Sequence, residues 1–194
     1  MSLNEIKALA SPKDTLRRRL RELGIAEVAR DTYEHFPDLE RASSGLVWHL
    51  SPVLVYPKAN LPSGELRLCD LCLRFAFEWL DASLNSWQPT ARQAQTAFLA
   101  GLLFHAPELS HIRVRAGEDV WDPFSSEPLS LWGRTRPNLV VDEHTDESRL
   151  YWLEPPAARM ALLNRILPMT SYGNLDAEVA HILMPPESIR PSRD

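Results

Sequence analysis

The stretch that decides the fold is residues 96–132, TAFLAGLLFHAPELSHIRVRAGEDVWDPFSSEPLSLW. It continues a pattern of apolar residues at intervals of three and four, which predicts a helix from Ala91 to His105. Pro107 ends that pattern, because proline cannot continue a helix. Small residues on this helix allow a neighbouring helix to approach closely, and they are Ala94, Ala97, Ala100 and Gly101. Because the stretch also contains two of the six histidines, we expect any buried site to be built around it.

The period of the pattern changes after the predicted helix. Residues 111–115 alternate between apolar and polar side chains, Gly117-Glu118 can turn, and residues 119–121 can return as a second strand. A second candidate hairpin pairs residues 139–141 with residues 150–153 across a polar loop. The sequence therefore predicts one or two small β-hairpins.

Further helices are predicted on both sides of this stretch. Ser11-Pro12-Lys13-Asp14 combines an N-cap, a first-turn proline and an acidic third position, so a helix should start there. Gly24 can divide that helical segment in two, and the arginine-rich run 17–21 fits a solvated face better than a phosphate site. The segment 45–56 fits either a buried helix or a buried strand. Additional helices are predicted at about 65–84, 157–167 and 175–184.

Cys69 and Cys72 are the only cysteines, and they lie three positions apart on the predicted helix 65–84. This spacing could indicate a redox motif, half of a zinc site or helix packing. A zinc site needs a second Cys/His pair at short spacing, and the sequence contains none. Both cysteines also fall on the apolar face of the helix, so we interpret them as core residues.

Length and composition are those of a globular protein. The 194 residues predict a single domain (1–194) with a polar tail at 185–194. With 44% hydrophobic and 24% charged residues, the sequence contains no apolar run long enough to cross a membrane. The net charge of −5 does not indicate DNA binding, although a local basic patch could still contact DNA. The first residues lack the features of a signal peptide, which predicts a cytoplasmic protein.

Several common catalytic signatures are absent from the sequence. It contains no Walker loop, no G-x-G-x-x-G, no G-x-S-x-G and no H-E-x-x-H. No spacing singles out a Ser/His/Asp or Cys/His set. Any catalytic site would therefore have to combine residues from several segments of the chain.

Such a combination is carried by residues 45–49 (GLVWH), 100–103 (AGLL), 121–124 (WDPF) with 129–132 (LSLW), and 163–168 (LNRILP). In these segments the chain resembles the helical N-terminal domain of H-class conjugative relaxases of integrative and conjugative elements, which belongs to the HD-type metal phosphohydrolases. Those domains carry G-L-x-x-H-x-x-E, A-G-L-L-H-D, W-x-P-F with L-x-x-W, R-H-E, and L-x-R-I-L-P in this order. The resemblance covers about residues 43–168 and implies an HD-like helical bundle, a mainly α fold.

The departures from that pattern concern the metal ligands. His-Asp after A-G-L-L is replaced by Phe104-His105, and the glutamate three positions past the first histidine is Pro52. R-H-E is replaced by residues 157–159, AAR. Only His49 stays in register, since His105 is displaced by one residue and a helix turns by about 100° per residue. Without the bridging carboxylate, the geometry on which metal catalysis depends is missing.

These observations lead to a main hypothesis and two alternatives. We expect a non-catalytic HD-like domain without a cofactor, acting in conjugative DNA processing or relaxosome assembly, with His49 and His105 as packed histidines or residual metal ligands. One alternative is an active phosphohydrolase with rearranged ligands for manganese, iron or zinc; the added candidates are His111, Asp119 and Asp122. The other is a helical interaction module unrelated to conjugation. The structural signature of the family-like region is Trp121, Pro123, Phe124 and Trp132, in which we expect the tryptophans to be packing anchors between hairpin and helices.

Overall fold

In the computed structural model of the protein, the residues described are 11–51, 67–86, 89–124, 127–136, 138–143 and 155–167. These residues form seven α-helices, two short 3-10 helices and one three-stranded antiparallel sheet. The mainly α-helical fold with a small β element is thereby confirmed. No helix in this part of the chain combines the length and apolar character needed to span a membrane.

The first three helices follow one another closely: α1 (Pro12–Glu22), α2 (Ala26–His35) and α3 (Pro37–Leu50). Ser11 caps α1 as predicted, because its hydroxyl accepts a hydrogen bond from the backbone N–H of Asp14. Gly24, at φ 73°, separates α1 from α2, which confirms the predicted division of this segment. The undecided segment 45–56 is helical as far as Leu50.

Two longer helices form the next pair, α4 (Leu68–Ser86) and α5 (Ala91–Leu102). A Cβ added to Gly101 would lie 2.5 Å from the carbonyl oxygen of Phe75, so the absence of a side chain lets α5 pack closely on α4. Cys69 and Cys72 are buried, as expected for core residues. The predicted end of α5 at His105 was wrong, because the helix ends at Leu102 and the chain turns through residues 103–105.

A 3-10 helix (Ala106–His111) leads into the sheet, which consists of β1 (Ile112–Ala116), β2 (Asp119–Trp121) and β3 (Val140–Glu143). The predicted β1–β2 hairpin is confirmed, with its turn at Gly117 (φ 64°). The strand near residue 140 pairs with β1 and gives the strand order β2-β1-β3. Its expected partner, residues 150–153, lies outside the described residues.

Two more helices complete the described fold, α6 (Leu129–Trp132), which runs into the 3-10 helix Gly133–Thr135, and α7 (Pro155–Ile166). One hydrophobic cluster includes side chains from α1, α3, α4, α5, α6, α7 and the sheet. The described residues therefore share a single core. The predicted helix 175–184 and the tail 185–194 lie outside the described residues.

The sequence predicts a solvated face for the arginine-rich run of α1. This prediction is wrong for Arg19. Arg17 and Arg18 are exposed, but Arg19 is 7% exposed and its guanidinium pairs with the carboxylate of Asp70 on α4, with Nε 2.9 Å from Oδ1. A buried cation requires such a partner. The sequence could not distinguish Arg19 from its neighbours, because the partner lies on a helix distant in sequence.

Candidate functional site

Residues 121–124, at the end of β2, make hydrogen bonds among themselves and with Glu127. The indole Nε1 of Trp121 donates to the carbonyl oxygen of Glu127 at 2.9 Å. The carboxylate of Asp122 accepts from the backbone N–H of Phe124 at 2.8 Å, which closes a short turn around Pro123. We call residues 121–124 the WDPF loop.

His49, in the last turn of α3, contacts this loop. Its Nε2 lies 2.6 Å from the carbonyl oxygen of Pro123, and its ring centroid lies 5.5 Å from that of Trp121. A carbonyl oxygen can only accept, so Nε2 carries the proton and donates it. The histidine is 1% exposed. The donor of His49 is therefore occupied by the WDPF loop.

The electrostatic surroundings keep His49 neutral. Burial lowers the pKa of the imidazole below its ordinary value; the Pro123 carbonyl and Asp122 raise it, and the nearby positive charge of Arg165 lowers it further. In the neutral ring Nδ1 is an acceptor, and it has no hydrogen-bond partner among the residues that the structure describes. His49 is thus a neutral, buried imidazole with one occupied and one unsatisfied nitrogen.

Arg165, on the last turn of α7, makes a second contact with the loop. Its Nε donates to the carbonyl oxygen of Phe124 at 2.9 Å. Two consecutive carbonyl groups of the WDPF loop are therefore held by side chains from two different helices. Sequence reasoning did not single out Arg165, although it belongs to the matched segment 163–168.

Gly45 explains how α3 and α7 come close enough to share the loop. A Cβ added to Gly45 would lie 2.4 Å from the carbonyl oxygen of Ile166 and 3.0 Å from its Cα. Residues four apart lie on the same face of a helix, so Gly45 and His49 serve neighbouring contacts. The glycine accommodates the backbone of α7, and the histidine one turn later binds the loop.

His105 lies elsewhere, in the turn after α5. Its ring makes edge contacts with Phe75 (centroids 4.6 Å apart) and Phe104 (5.0 Å), and it is 8% exposed. Phe104 also stacks on Phe75 at 5.3 Å, and the guanidinium of Arg159 lies 5.7 Å from the Phe104 ring. His105 therefore belongs to an aromatic cluster with Phe75 and Phe104.

The remaining ligand candidates have different surroundings. His111 ends a 3-10 helix and is half-buried, Asp119 is exposed and pairs with Arg136 at 3.2 Å, and Asp122 closes the turn of the WDPF loop. Within the described ranges, which include all five candidates, no three His, Cys, Asp or Glu side chains form a group that could hold a metal ion. Among the described residues, the convergence that the rearranged-ligand alternative requires is not found.

The two signature tryptophans are packed as expected. Trp121 is 1% exposed and Trp132 is 5% exposed. The guanidinium of Arg136 lies 4.4 Å from the ring centroid of Trp132. Burial leaves neither ring face open for stacking on a base, so both act as packing anchors.

Fold and site together define a class: a mainly α-helical protein with a small antiparallel sheet and a loop held by a buried histidine and an arginine. A scan against protein-family models, a search of curated proteins and a search of solved structures each returned no match. The relationship to conjugative relaxases stays a prediction from the motifs.

Proposed function

We propose that this chain is a non-catalytic, HD-like domain that acts in conjugative DNA processing or relaxosome assembly. The observation that carries the proposal is the use of His49, the one histidine in register with the relaxase motifs. Its Nε2 is engaged by the Pro123 carbonyl, and it sits among residues of the WDPF loop. The histidine that would bind metal in the family holds a loop in place here.

The neighbouring family positions support the same proposal. Phe104 and His105 stand where the motif has His-Asp, and both rings pack against Phe75. Ala158 and Arg159 stand within the segment where the motif has R-H-E; Ala158 is fully buried and Arg159 lies against the Phe104 ring. Aromatic and aliphatic packing occupies positions at which a metal centre needs imidazoles and carboxylates.

The spatial arrangement of the motifs is a further support. Residues 45–49, 121–124 and 163–167 meet at the WDPF loop through His49, Arg165 and the close approach of Gly45 to Ile166. Three of the four segments that carry the resemblance thus meet at one loop. These contacts fix the position of the loop, which supports a scaffold role.

The absence of catalysis is tested with purified protein. We expect no stoichiometric manganese, iron or zinc by elemental analysis, and no metal-dependent phosphodiesterase turnover. Stoichiometric metal together with turnover that disappears in His49→Ala would overturn the proposal. A Phe104→Ala variant serves as the control, because it disturbs the neighbouring aromatic cluster and leaves His49 intact.

The conjugative role needs a separate test. Genes for conjugation beside the coding gene, and a lower transfer frequency of the mobile element after its deletion, are the expected results. Complementation by the His49→Gln variant should restore transfer if the domain acts as a scaffold, because glutamine can still donate to the Pro123 carbonyl. Unchanged transfer after deletion would contradict the conjugative role.

A further inference from the structure

A groove of about 320 Å³ lies on the side of the molecule formed by α1, α2 and the start of α3. Its floor is apolar, with side chains from α1 and α2: Leu16, Leu20, Ala26 and Tyr33. Leu16 and Leu20 are 1% and 4% exposed and belong to the core. The floor is therefore preformed, since its leucines are fixed by packing below the groove.

Tyr33 shapes the end of that floor. Its hydroxyl donates to the Ser43 hydroxyl at 2.9 Å, and its ring contacts Phe77 and Phe98 at centroid distances of 6.0 and 6.4 Å. The phenol is thus anchored in the core, and Tyr33 also lines the groove. Burial raises its pKa well above the ordinary value, so it remains a neutral surface at all working pH values.

The rim of the groove is charged and mostly positive. Arg17 and Arg21 lie one turn apart on α1, and Arg30 lies on α2. Arg17 and Arg30 make only exposed pairs, with Asp14 at 3.9 Å and Asp31 at 3.2 Å, which contribute little. Arg21 makes no ion pair with any residue in the described part of the chain. These cations remain available to carboxylates of a ligand.

Two acidic residues on the same rim make a uniformly negative ligand unfavourable. Glu34 and Glu40 line the groove, and Glu40 pairs with Lys13 at 3.0 Å. DNA presents an unbroken row of phosphates, some of which would face these carboxylates, whereas a peptide can place its own carboxylates opposite the arginines and uncharged residues opposite Glu34 and Glu40. An apolar floor that includes a tyrosine, surrounded by a rim with three arginines, has the anatomy of a protein–protein interface.

We propose that the groove formed by α1, α2 and the start of α3 docks an amphipathic helix of a partner protein, which inserts leucine-type side chains and places carboxylates opposite Arg17 and Arg21. Charge complementarity favours this ligand, because the arginines attract acidic groups. The apolar floor can pack against aliphatic side chains of the helix. The inference stands on the groove alone and does not depend on the proposed function.

The test uses the full chain and two synthetic, fluorescein-labelled helical peptides. Both carry leucines at positions i, i+3, i+4 and i+7. One has glutamates beside the leucines, and the other has lysines in their place. Binding is measured by fluorescence anisotropy, and the site is mapped by changes in the NMR signals of groove residues.

We expect the acidic peptide to bind and the lysine peptide to bind at least about tenfold more weakly. The double variant Arg17→Glu/Arg21→Glu should weaken the acidic peptide by about tenfold or more. Arg18→Glu is the matched control: it lies on the same helix, its side chain is 56% exposed, and it does not line the groove. Its affinity should stay within about twofold of wild type.

Several results would overturn the proposal. One is an equal loss in Arg18→Glu, which would mean non-specific attraction to the basic helix. Others are equal binding of the two peptides, NMR shifts confined to residues away from the groove, or duplex DNA that competes through Arg17 and Arg21. Because all the substituted side chains are exposed, circular dichroism and thermal unfolding should show the variants folded as wild type.

Discussion

The imidazole of His49 donates from Nε2 to the carbonyl oxygen of Pro123 across 2.6 Å, joining residues that lie 74 positions apart. The contact fixes the protonation state of the ring and the position of the WDPF loop together. Burial and the nearby Arg165 lower the pKa of the ring, so it donates as a neutral group. This relationship gives His49 a structural task in a place where the sequence motif implies a metal ligand.

Replacing His49 by alanine should destabilise the protein by about 2–4 kcal/mol, because a cavity remains and the Pro123 carbonyl loses its donor. His49→Gln should cost less, since an amide can still donate. Urea unfolding followed by circular dichroism measures both. A loss below about 0.5 kcal/mol in His49→Ala would show that the contact does not hold the loop.

The pH dependence of stability should also report on His49. Its folded-state pKa lies below the ordinary value of 6.5, so the unfolded chain binds a proton more readily. The contribution is complete above the unfolded pKa and is lost as pH falls below it, toward the lower folded pKa. We expect the free energy of unfolding of wild type to fall more steeply than that of His49→Gln below about pH 6.5. Parallel curves for the two proteins would contradict this sign.

Gly45→Ala should destabilise the protein by about 1–3 kcal/mol, because the added Cβ would lie 2.4 Å from the backbone oxygen of Ile166. The direction of this change in stability is informative, because it is opposite to the usual effect of the substitution. In the middle of a helix, glycine to alanine ordinarily stabilises by about 0.5–1 kcal/mol. Thermal unfolding distinguishes the two directions, and a raised melting temperature would mean that α7 does not lie against Gly45.

The buried pair between Arg19 and Asp70 should be strongly coupled. Asp70→Asn is expected to cost about 1–3 kcal/mol, because it removes the buried counter-charge of Arg19 and leaves only the half-exposed carboxylate of Glu22 beside the guanidinium. The double variant Arg19→Met/Asp70→Leu should recover most of that loss, since an apolar pair removes the desolvation penalty. A double-mutant cycle by denaturant unfolding measures the coupling.

The exposed neighbour Arg18 supplies the control for that cycle. Its pair with Glu22 is 3.9 Å long and both side chains are about half exposed, so Arg18→Ala should change stability by less than about 0.5 kcal/mol. Additive effects of the Arg19 and Asp70 substitutions would indicate that the two side chains act independently.

Much of the local structure could be predicted from the sequence because its causes are local. Ser11 and Asp14 predict the start of α1, and the turn at Gly117 predicts the β1–β2 hairpin. The apolar period of α4 places Cys69 and Cys72 in the core. The end of α5 was predicted three residues too late, because the turn at residues 103–105 precedes Pro107 and has no glycine or proline of its own to signal it.

The candidate site could be predicted only in part. The sequence motifs include His49, Trp121 and Pro123, and in the structure His49 contacts the other two residues. Arg165 was not singled out, because an exposed arginine in a last helical turn resembles an ordinary favourable charge at a helix C-terminus. The role of Arg165 depends on its hydrogen bond to the Phe124 carbonyl oxygen. That bond can form only when α7 packs beside the WDPF loop.

By itself, the stretch 96–132 determined a helix with small residues for close packing, a hairpin and two buried tryptophans. Periodicity, turn residues and side-chain size act over a few positions, so sequence suffices for them. The tertiary structure alone decided that His49 binds a carbonyl, that β3 joins β1, and that Arg19 is buried beside Asp70. Each of these depends on a partner distant in the sequence, and hydrogen bonding and burial act between neighbours in space.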